Sequence, residues 1–200
     1  MLCDISQELC SLAQKQDRTL KLLSLDVMKN VIYLLKQQLP KERQKDIVDV
    51  TSPYIEDKDF FLAQLALEVL GKIIELNPTA GFYKDAIQNC IKLTKSSLVQ
   101  GSTTQRISDV FYLIGAHKLA DEVAIFSSLI SDLNKNCLLT AAKALAGFIT
   151  GVDEKVRMNF IQQLLAKVDF QFCEILKDAR CHQRLKIPLS SRFLCLRLLR

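Results

Sequence analysis

The sequence is poor in several residue types, and each scarcity narrows the possible fold. It has no tryptophan, 7% aromatic residues, and only six glycines and four prolines in 200 residues. So few Gly and Pro residues are untypical of an all-β protein, which needs many tight turns. The chain is nevertheless 49% hydrophobic, so Leu, Ile, Val and Ala must fill the core. This composition favours an all-helical protein.

Long apolar runs, paired cysteines and catalytic motifs are also missing. No apolar run reaches the roughly 18 residues that a membrane-spanning helix needs. The seven cysteines are odd in number and include no C-x-x-C pair, which argues against a disulfide framework and a zinc site. No phosphate-loop, dinucleotide-binding, nucleophile-elbow or zinc-protease motif occurs. We therefore expect a protein that is not an enzyme, uses no cofactor, and works in the cytoplasm and nucleus.

Two histidines remain as candidates for metal or catalytic chemistry. His117 lies four positions before Asp121, a spacing that suits a metal pair but is more often a surface pair. Cys181 and His182 are adjacent, so their side chains point apart and form no dyad without an orienting third group. We predict neither metal binding nor catalysis at either place.

Apolar residues recur with helical spacing along most of the chain. The first long helix covers the stripe from Leu20 to Leu35 and stops before Pro40. We predict the other helices from the same signals, over about 3–15, 42–55, 60–76, 80–95, 102–115, 117–131, 135–150 and 153–167. Predicted N-caps are Asp57 or Asp59, Ser102 or Thr103, and Asp153. Gly115 is predicted to end its helix.

The sequence pattern of one helix occurs twice in the chain. The stretch LALEVLGKIIEL at 65–76 repeats, position by position, the pattern of LSLDVMKNVIYL at 23–34. Long and shorter helices alternate with a period of about 35 to 42 residues, which is typical of HEAT-type hairpins that bury their faces by stacking. We predict an α-solenoid over 1–168, with about four repeats after a leading half repeat. Because both ends fall inside a repeat, we expect a piece of a longer solenoid.

The last part of the chain differs from the rest in charge. The stretch 176–200 carries seven Lys or Arg against one acid, whereas over 1–175 the acids exceed the bases by one. The nearly neutral body gives no argument for nucleic-acid binding. For the basic C-terminal segment 169–200 we keep four interpretations: a partial further repeat, a disordered arm, a localisation signal, or sequence from a splice variant or truncated gene model.

Basic residues recur on the shorter helices of two successive repeats. In a solenoid these helices commonly line the concave face, where cations can meet an acidic partner. We take as candidate protein-binding residues Lys41, Arg43, Lys45, Lys84, Lys92 and Lys95. The acids Asp46, Asp49 and Asp85 interrupt this series, so a solvated face is the alternative interpretation.

The order, spacing and turn residues of about 3–168 resemble a known family. The stretches RTLKLLSLDVMKNVIYLL, DKDFFLAQLALEVLGKIIEL, SSLVQGSTTQRISDVF and NKNCLLTAAKALAGFIT are similar to later-middle HEAT repeats of cullin-associated, neddylation-dissociated proteins. The resemblance implies a scaffold that wraps a cullin lacking its ubiquitin-like modifier, together with the RING subunit, and promotes substrate-receptor exchange. It implies no catalytic residue, and 169–200 depart from it.

A second function remains open beside this one. Another HEAT-repeat adaptor, such as a transport receptor or a phosphatase or chromosome scaffold, would share the helical pattern. The partner recovered from a lysate distinguishes the two hypotheses. Neither includes a small-molecule substrate or a membrane.

Overall fold

A computed structural model describes residues 2–35, 38–56, 58–79, 81–133 and 138–167, and its regular elements in those ranges are all helical. The prediction of an all-α fold is confirmed. The α-helices within these ranges are α1 (Leu2–Ala13), α2 (Arg18–Leu35), α3 (Lys41–Thr51), α4 (Phe60–Leu76), α5 (Lys84–Thr94), α6 (Gly101–Ala116), α7 (Glu122–Leu133), α8 (Leu138–Gly151) and α9 (Glu154–Lys167).

The chain divides into two compact units. The first, Met1–Val152, contains α1 to α8, and the second, Asp153–Arg200, contains α9. Predictions on Asp57 and on the basic segment 169–200, including Cys181 and His182, lie outside the described residues. Among the residues that the structure does describe, no helix is both long enough and apolar enough to cross a membrane.

Helices of the first unit alternate between two layers. The longer helices α2, α4, α6 and α8 contact one another in succession and form the long-helix layer. In the short-helix layer, α1 contacts α3, α5 contacts α7, and the 3-10 turn Ser52–Tyr54 lies between α3 and α5 and contacts both. Because α4 and α6 each have a long helix on both sides, their apolar stripes are wide.

Helix α4 begins where the sequence predicts. The carboxylate of Asp59 accepts hydrogen bonds from the backbone N–H groups of Phe61 at 3.1 Å and Leu62 at 3.3 Å, as an N-cap does. The same carboxylate pairs with the guanidinium of Arg18 on α2. This hydrogen bond lowers the pKa of Asp59 and ties the start of α4 to the neighbouring long helix.

Helix α6 begins differently from the prediction. Gln100 is the N-cap residue and makes no capping bond, whereas Ser102 and Thr103 lie inside the helix. The hydroxyl of Ser102 donates to Oε1 of Gln64 at 2.6 Å, and that of Thr103 donates to the carbonyl of Phe60 at 3.4 Å. The predicted cap is wrong because both hydroxyls bond across the layer to α4.

Gly115 does not end α6, because the helix continues to Ala116. Lys118 then takes a positive φ of 52°, and the N–H of Leu119 donates to the carbonyl of Ile114 at 3.1 Å. This is a Schellman ending, in which a left-handed residue closes the helix. The next helix begins at Glu122 and not at 117, capped by Asp121, which accepts from Val123 and Ala124.

Three further bounds depart from the predicted ones. Helix α3 ends at Thr51, before the predicted 55, since Pro53 lies in the following 3-10 turn and lacks an N–H donor. Helix α5 begins at Lys84, later than the predicted start at 80. Helix α8 begins at Leu138, and the residues just before it lie outside the described ranges.

Candidate protein-binding site

The six basic candidates lie in the short-helix layer, on α3 and at α5. Lys41 and Lys45 are four positions apart on α3 and are both exposed. Residues with this spacing share a helix face. Lys84, Lys92 and Lys95 are exposed as well, and their spacing places them along one face of α5 and its C-cap. The structure thus gives each of two consecutive short helices an exposed basic face.

Arg43 is less exposed than the other five. Its guanidinium donates to Oε1 of Gln7 on α1 at 2.8 Å and to the carboxylate of Asp46 at 3.1 Å. The side chain therefore links α3 to the preceding short helix and is only partly available to a partner. Asp46, Asp49 and Asp85 are exposed on the same helices, so the two basic faces are interrupted by acids as the sequence indicated.

Side-chain hydrogen bonds connect α3 and α5 to neighbouring parts of the fold. Asn89 of α5 donates to the carbonyl of Ser52 at 2.9 Å, and so bonds to the turn that follows α3. Gln44 of α3 is buried and donates to the carbonyl of Leu39 at 2.7 Å. Asn77 in turn donates to Oε1 of Gln44 at 3.1 Å. These bonds tie α5 to the turn that follows α3, and α3 to the end of α4.

A charged network crosses the long-helix layer, and the sequence analysis did not predict it. Glu68 of α4 accepts from Arg106 of α6 at 2.8 Å and from Lys29 of α2 at 3.3 Å. Lys29 also bonds Asp26 at 2.9 Å, and Arg106 bonds Asp109 at 3.4 Å. Side chains of alternating charge therefore link the three successive long helices α2, α4 and α6.

Glu68 is mostly buried, with 13% of its side chain exposed. Burial raises the pKa of this carboxyl, but hydrogen bonds from Gln64 and Lys29 and the charges of Arg106 and Lys29 outweigh burial. The pKa of Glu68 is lowered as a result. The two copies of the repeated helix carry an acid at the same position, Asp26 and Glu68, which singled this position out in the sequence. The basic partners Lys29 and Arg106 do not recur with that spacing, so the sequence did not predict them.

An apolar groove opens between α2 and α4. It has a volume of about 390 Å³ and is lined by Arg18, Leu22, Phe61, Gln64 and Leu65. The guanidinium carbon of Arg18 lies 5.8 Å from the centroid of the Phe61 ring, in the range of a cation–π contact. Phe61 is 69% exposed, so this groove could hold an apolar side chain of a partner.

His117 and Asp121, the pair considered for metal binding, lie at the ends of two different helices. His117 is the exposed C-cap residue of α6, while Asp121 caps α7. Within the described residues, no three His, Cys, Asp or Glu side chains form a group that could hold a metal ion. Burial raises the pKa of Cys10 to about 11 and that of Cys90 to about 12. Both side chains are therefore neutral thiols at physiological pH.

Comparison with known proteins finds a distant relative. The chain is 25% identical over 135 residues to the fruit-fly protein named Cullin-associated NEDD8-dissociated protein 1, from Drosophila melanogaster. The match covers 66% of this chain but only 11% of the relative. No protein-family model and no solved structure matches the chain significantly. The similarity supports a helical scaffold of this general kind.

Proposed function

We propose that this chain is a protein-binding scaffold segment, an α-solenoid of HEAT-type hairpins, that binds a cullin. The observation that carries the proposal is the similarity over 135 residues to a protein whose name states an association with cullins. The alternating long and short helices of the first unit support it, since each hairpin buries its faces against the next. Such a segment offers a wide surface and acts without catalysis.

The finer proposal concerns the state of the partner. The chain binds a cullin that lacks its ubiquitin-like modifier, together with the RING subunit, and contributes to substrate-receptor exchange in the cytoplasm and nucleus. The basic faces of α3 and α5 are the surface we assign to it, with Lys41, Lys45, Lys84, Lys92 and Lys95 as its cations and Arg43 at its edge.

A capture experiment tests this proposal. The full chain is tagged, immobilised and exposed to a cell lysate, and retained proteins are identified by mass spectrometry. We expect a cullin and its RING subunit among them. A basic-face variant, Lys41→Glu with Lys45→Glu and Lys84→Glu, should retain markedly less of both.

A matched control variant distinguishes the loss of these cations from the effect of a changed net charge. Lys58→Glu, Lys72→Glu and Lys155→Glu change the net charge equally, on side chains outside α3 and α5. This control should retain cullin as the unchanged chain does. Recovery of another partner set without cullin would refute the cullin assignment and favour another adaptor. Equal loss in both variants would refute the assignment of the basic faces.

A further inference from the structure

The turn between α5 and α6 is anchored at both ends and exposed at its apex. Ser97 and Leu98 are exposed, with 63% of Leu98 accessible to solvent. On either side of them Thr94 and Val99 are buried, and the carbonyl of Val99 accepts a hydrogen bond from the hydroxyl of Thr140 on α8 at 3.2 Å. The apex is therefore accessible to an enzyme, while the ends belong to the packed fold.

The two serines of this turn differ in their bonding. Oγ of Ser96, which is half-buried, accepts a hydrogen bond from the backbone N–H of Leu98 at 3.3 Å. The hydroxyl of Ser97 makes no hydrogen bond to a described residue. Of the two hydroxyls, that of Ser97 is therefore the one that can react without breaking a side-chain bond.

Exposed cations precede Ser97, and an exposed apolar residue follows it. Lys95 lies two positions and Lys92 five positions before Ser97, and both are exposed. Ser127 is exposed as well, but it lies within α7 and has no Lys or Arg among the five residues before it. Protein kinases select their substrates by such charge patterns. The pattern at Ser97 therefore fits a kinase whose substrate groove receives cations before the acceptor.

Local bonds must open before a kinase can hold this segment in an extended form. The N–H of Lys95 donates to the carbonyl of Lys92 at 3.1 Å, and that of Ser96 donates to the carbonyl of Leu93 at 3.2 Å. Both bonds close turns at the end of α5, so breaking them frays the helix without separating it from another. Helix ends open in this way at a low free-energy cost.

A phosphate on Ser97 would change the charge of the neighbouring basic face. Helix α5 and its C-cap carry three cations, Lys84, Lys92 and Lys95, against one acid, Asp85, which gives a net charge of +2. A phosphoserine carries about −1.5 to −2 charges at pH 7. It also forms charge-assisted hydrogen bonds with cations in reach. One modification would therefore cancel most or all of the positive charge of α5.

We propose that Ser97 is phosphorylated by a protein kinase that selects cations before its acceptor, and that the phosphate pairs with Lys92 and Lys95. In the transfer, Oγ of Ser97 forms a bond to the γ-phosphorus of ATP while the bond from that phosphorus to the β–γ bridging oxygen breaks. ADP leaves with that electron pair, and the hydroxyl proton passes to the aspartate base of the kinase. The inference concerns the charge of α5 and not the identity of its partner, so it does not rest on the proposed function.

The first test is phosphorylation of the folded full chain. The chain is incubated with ATP and, separately, with protein kinase C and with cAMP-dependent protein kinase, which both select cations before the acceptor. Mass spectrometry then locates the phosphate. We expect it on Ser97 and not on Ser127. Ser97→Ala should abolish the modification, and Ser96→Ala should leave it in place.

Two double variants test the role of the lysines. Lys92→Ala with Lys95→Ala should slow phosphorylation at least about tenfold, because the kinase loses two charge-assisted contacts. Lys72→Ala with Lys155→Ala removes two cations outside α5 and should leave the rate unchanged. Circular dichroism of each variant checks that the chain remains folded.

The second test measures the charge of the face with a labelled poly-glutamate peptide at low salt. Fluorescence anisotropy should show that phosphorylation of Ser97 weakens binding at least about tenfold, as removal of Lys92 and Lys95 does. The Lys72 and Lys155 variant loses the same two units of charge elsewhere and should bind the peptide as the unchanged chain does.

Three outcomes would overturn the inference. The first is the absence of phosphate from Ser97 in the folded chain; if a peptide of residues 89–102 were phosphorylated in parallel, the turn itself would be shown not to open. The second is an equal rate with and without Lys92 and Lys95. The third is equal binding of poly-glutamate by the phosphorylated and unmodified chains, or no binding by either.

Discussion

At the scale of single residues, Glu68 has the most consequential environment in the described chain. Its carboxylate bonds both flanking long helices, through Lys29 and Arg106. A partly buried charge with two cationic partners stabilises more than an exposed pair does, because water screens it less. We therefore expect the network around Glu68 to fix the spacing of α2, α4 and α6.

Glu68→Gln should lower the free energy of unfolding by about 1–2 kcal/mol at pH 7. The pKa of Glu68 is lowered in the folded state from an ordinary value of 4.5. Its contribution is therefore fully present above that ordinary pKa and is lost as the pH falls through the folded pKa. Urea unfolding at pH 7 and at successively lower pH should show the difference between the two proteins shrinking to nothing.

Glu75→Gln is the matched control for this prediction. Glu75 pairs with Lys72, three positions away on the same exposed face, and such pairs contribute a few tenths of a kcal/mol. If both variants lost the same free energy of unfolding at pH 7, the role assigned to Glu68 would be contradicted. The same holds if Glu68→Gln and the unchanged protein still differed in stability at low pH.

At the scale of elements, close packing of α6 on α8 depends on glycine. A Cβ on Gly147 would lie 2.1 Å from the carbonyl oxygen of Ser108, and one on Gly151 would lie 2.1 Å from that of Tyr112. Small residues cluster along α8, with Ala141 and Ala144 preceding Gly147. At Gly147 and Gly151 the lack of a side chain lets the backbones of α6 and α8 approach each other.

Gly147→Ala should lower the free energy of unfolding by about 1–3 kcal/mol or more. Alanine favours helices, but its Cβ would overlap a backbone atom of α6, which cannot move aside as a side chain can. Thermal unfolding followed by circular dichroism measures the effect. Gly81→Ala is the control, since a Cβ there meets no atom within 4 Å. An unchanged or raised melting temperature for Gly147→Ala would mean that the helices separate without cost.

The apolar periodicity predicted which helices exist and in what order, but it did not predict where several of them begin or end. The cap of α4 was predictable because Asp59 acts on its own helix. Ser102 and Thr103 were mistaken for caps because their partners, Gln64 and Phe60, lie on the preceding long helix and are distant in the sequence. The start of α7 was missed because a lysine in a left-handed conformation, Lys118, closes α6 without glycine.

The candidate surfaces were predictable only in part, for a related reason. The sequence placed exposed cations on α3 and α5 correctly, but it gave no sign that Arg43 bonds Gln7. It also gave α2 and α4 the same wide apolar stripe. Which stripe is covered depends on neighbours in space, so the exposure of Leu34 and Val27 could not be inferred from the pattern.

At the scale of the whole molecule, the central claim is that this chain binds a partner protein as a scaffold. The short-helix layer offers two basic faces, and the long-helix layer offers an apolar groove. Under the proposed function, the quantity to measure is the affinity of the chain for a partner protein.

The most direct test is the binding of the purified full chain to a purified cullin–RING pair, with and without the conjugated modifier, by biolayer interferometry. We predict binding to the unmodified pair, weakened at least about tenfold by the modifier and by the basic-face variant. The Lys58, Lys72 and Lys155 control should bind as the unchanged chain does. Absence of binding, or equal binding to both forms of the cullin, would contradict the account.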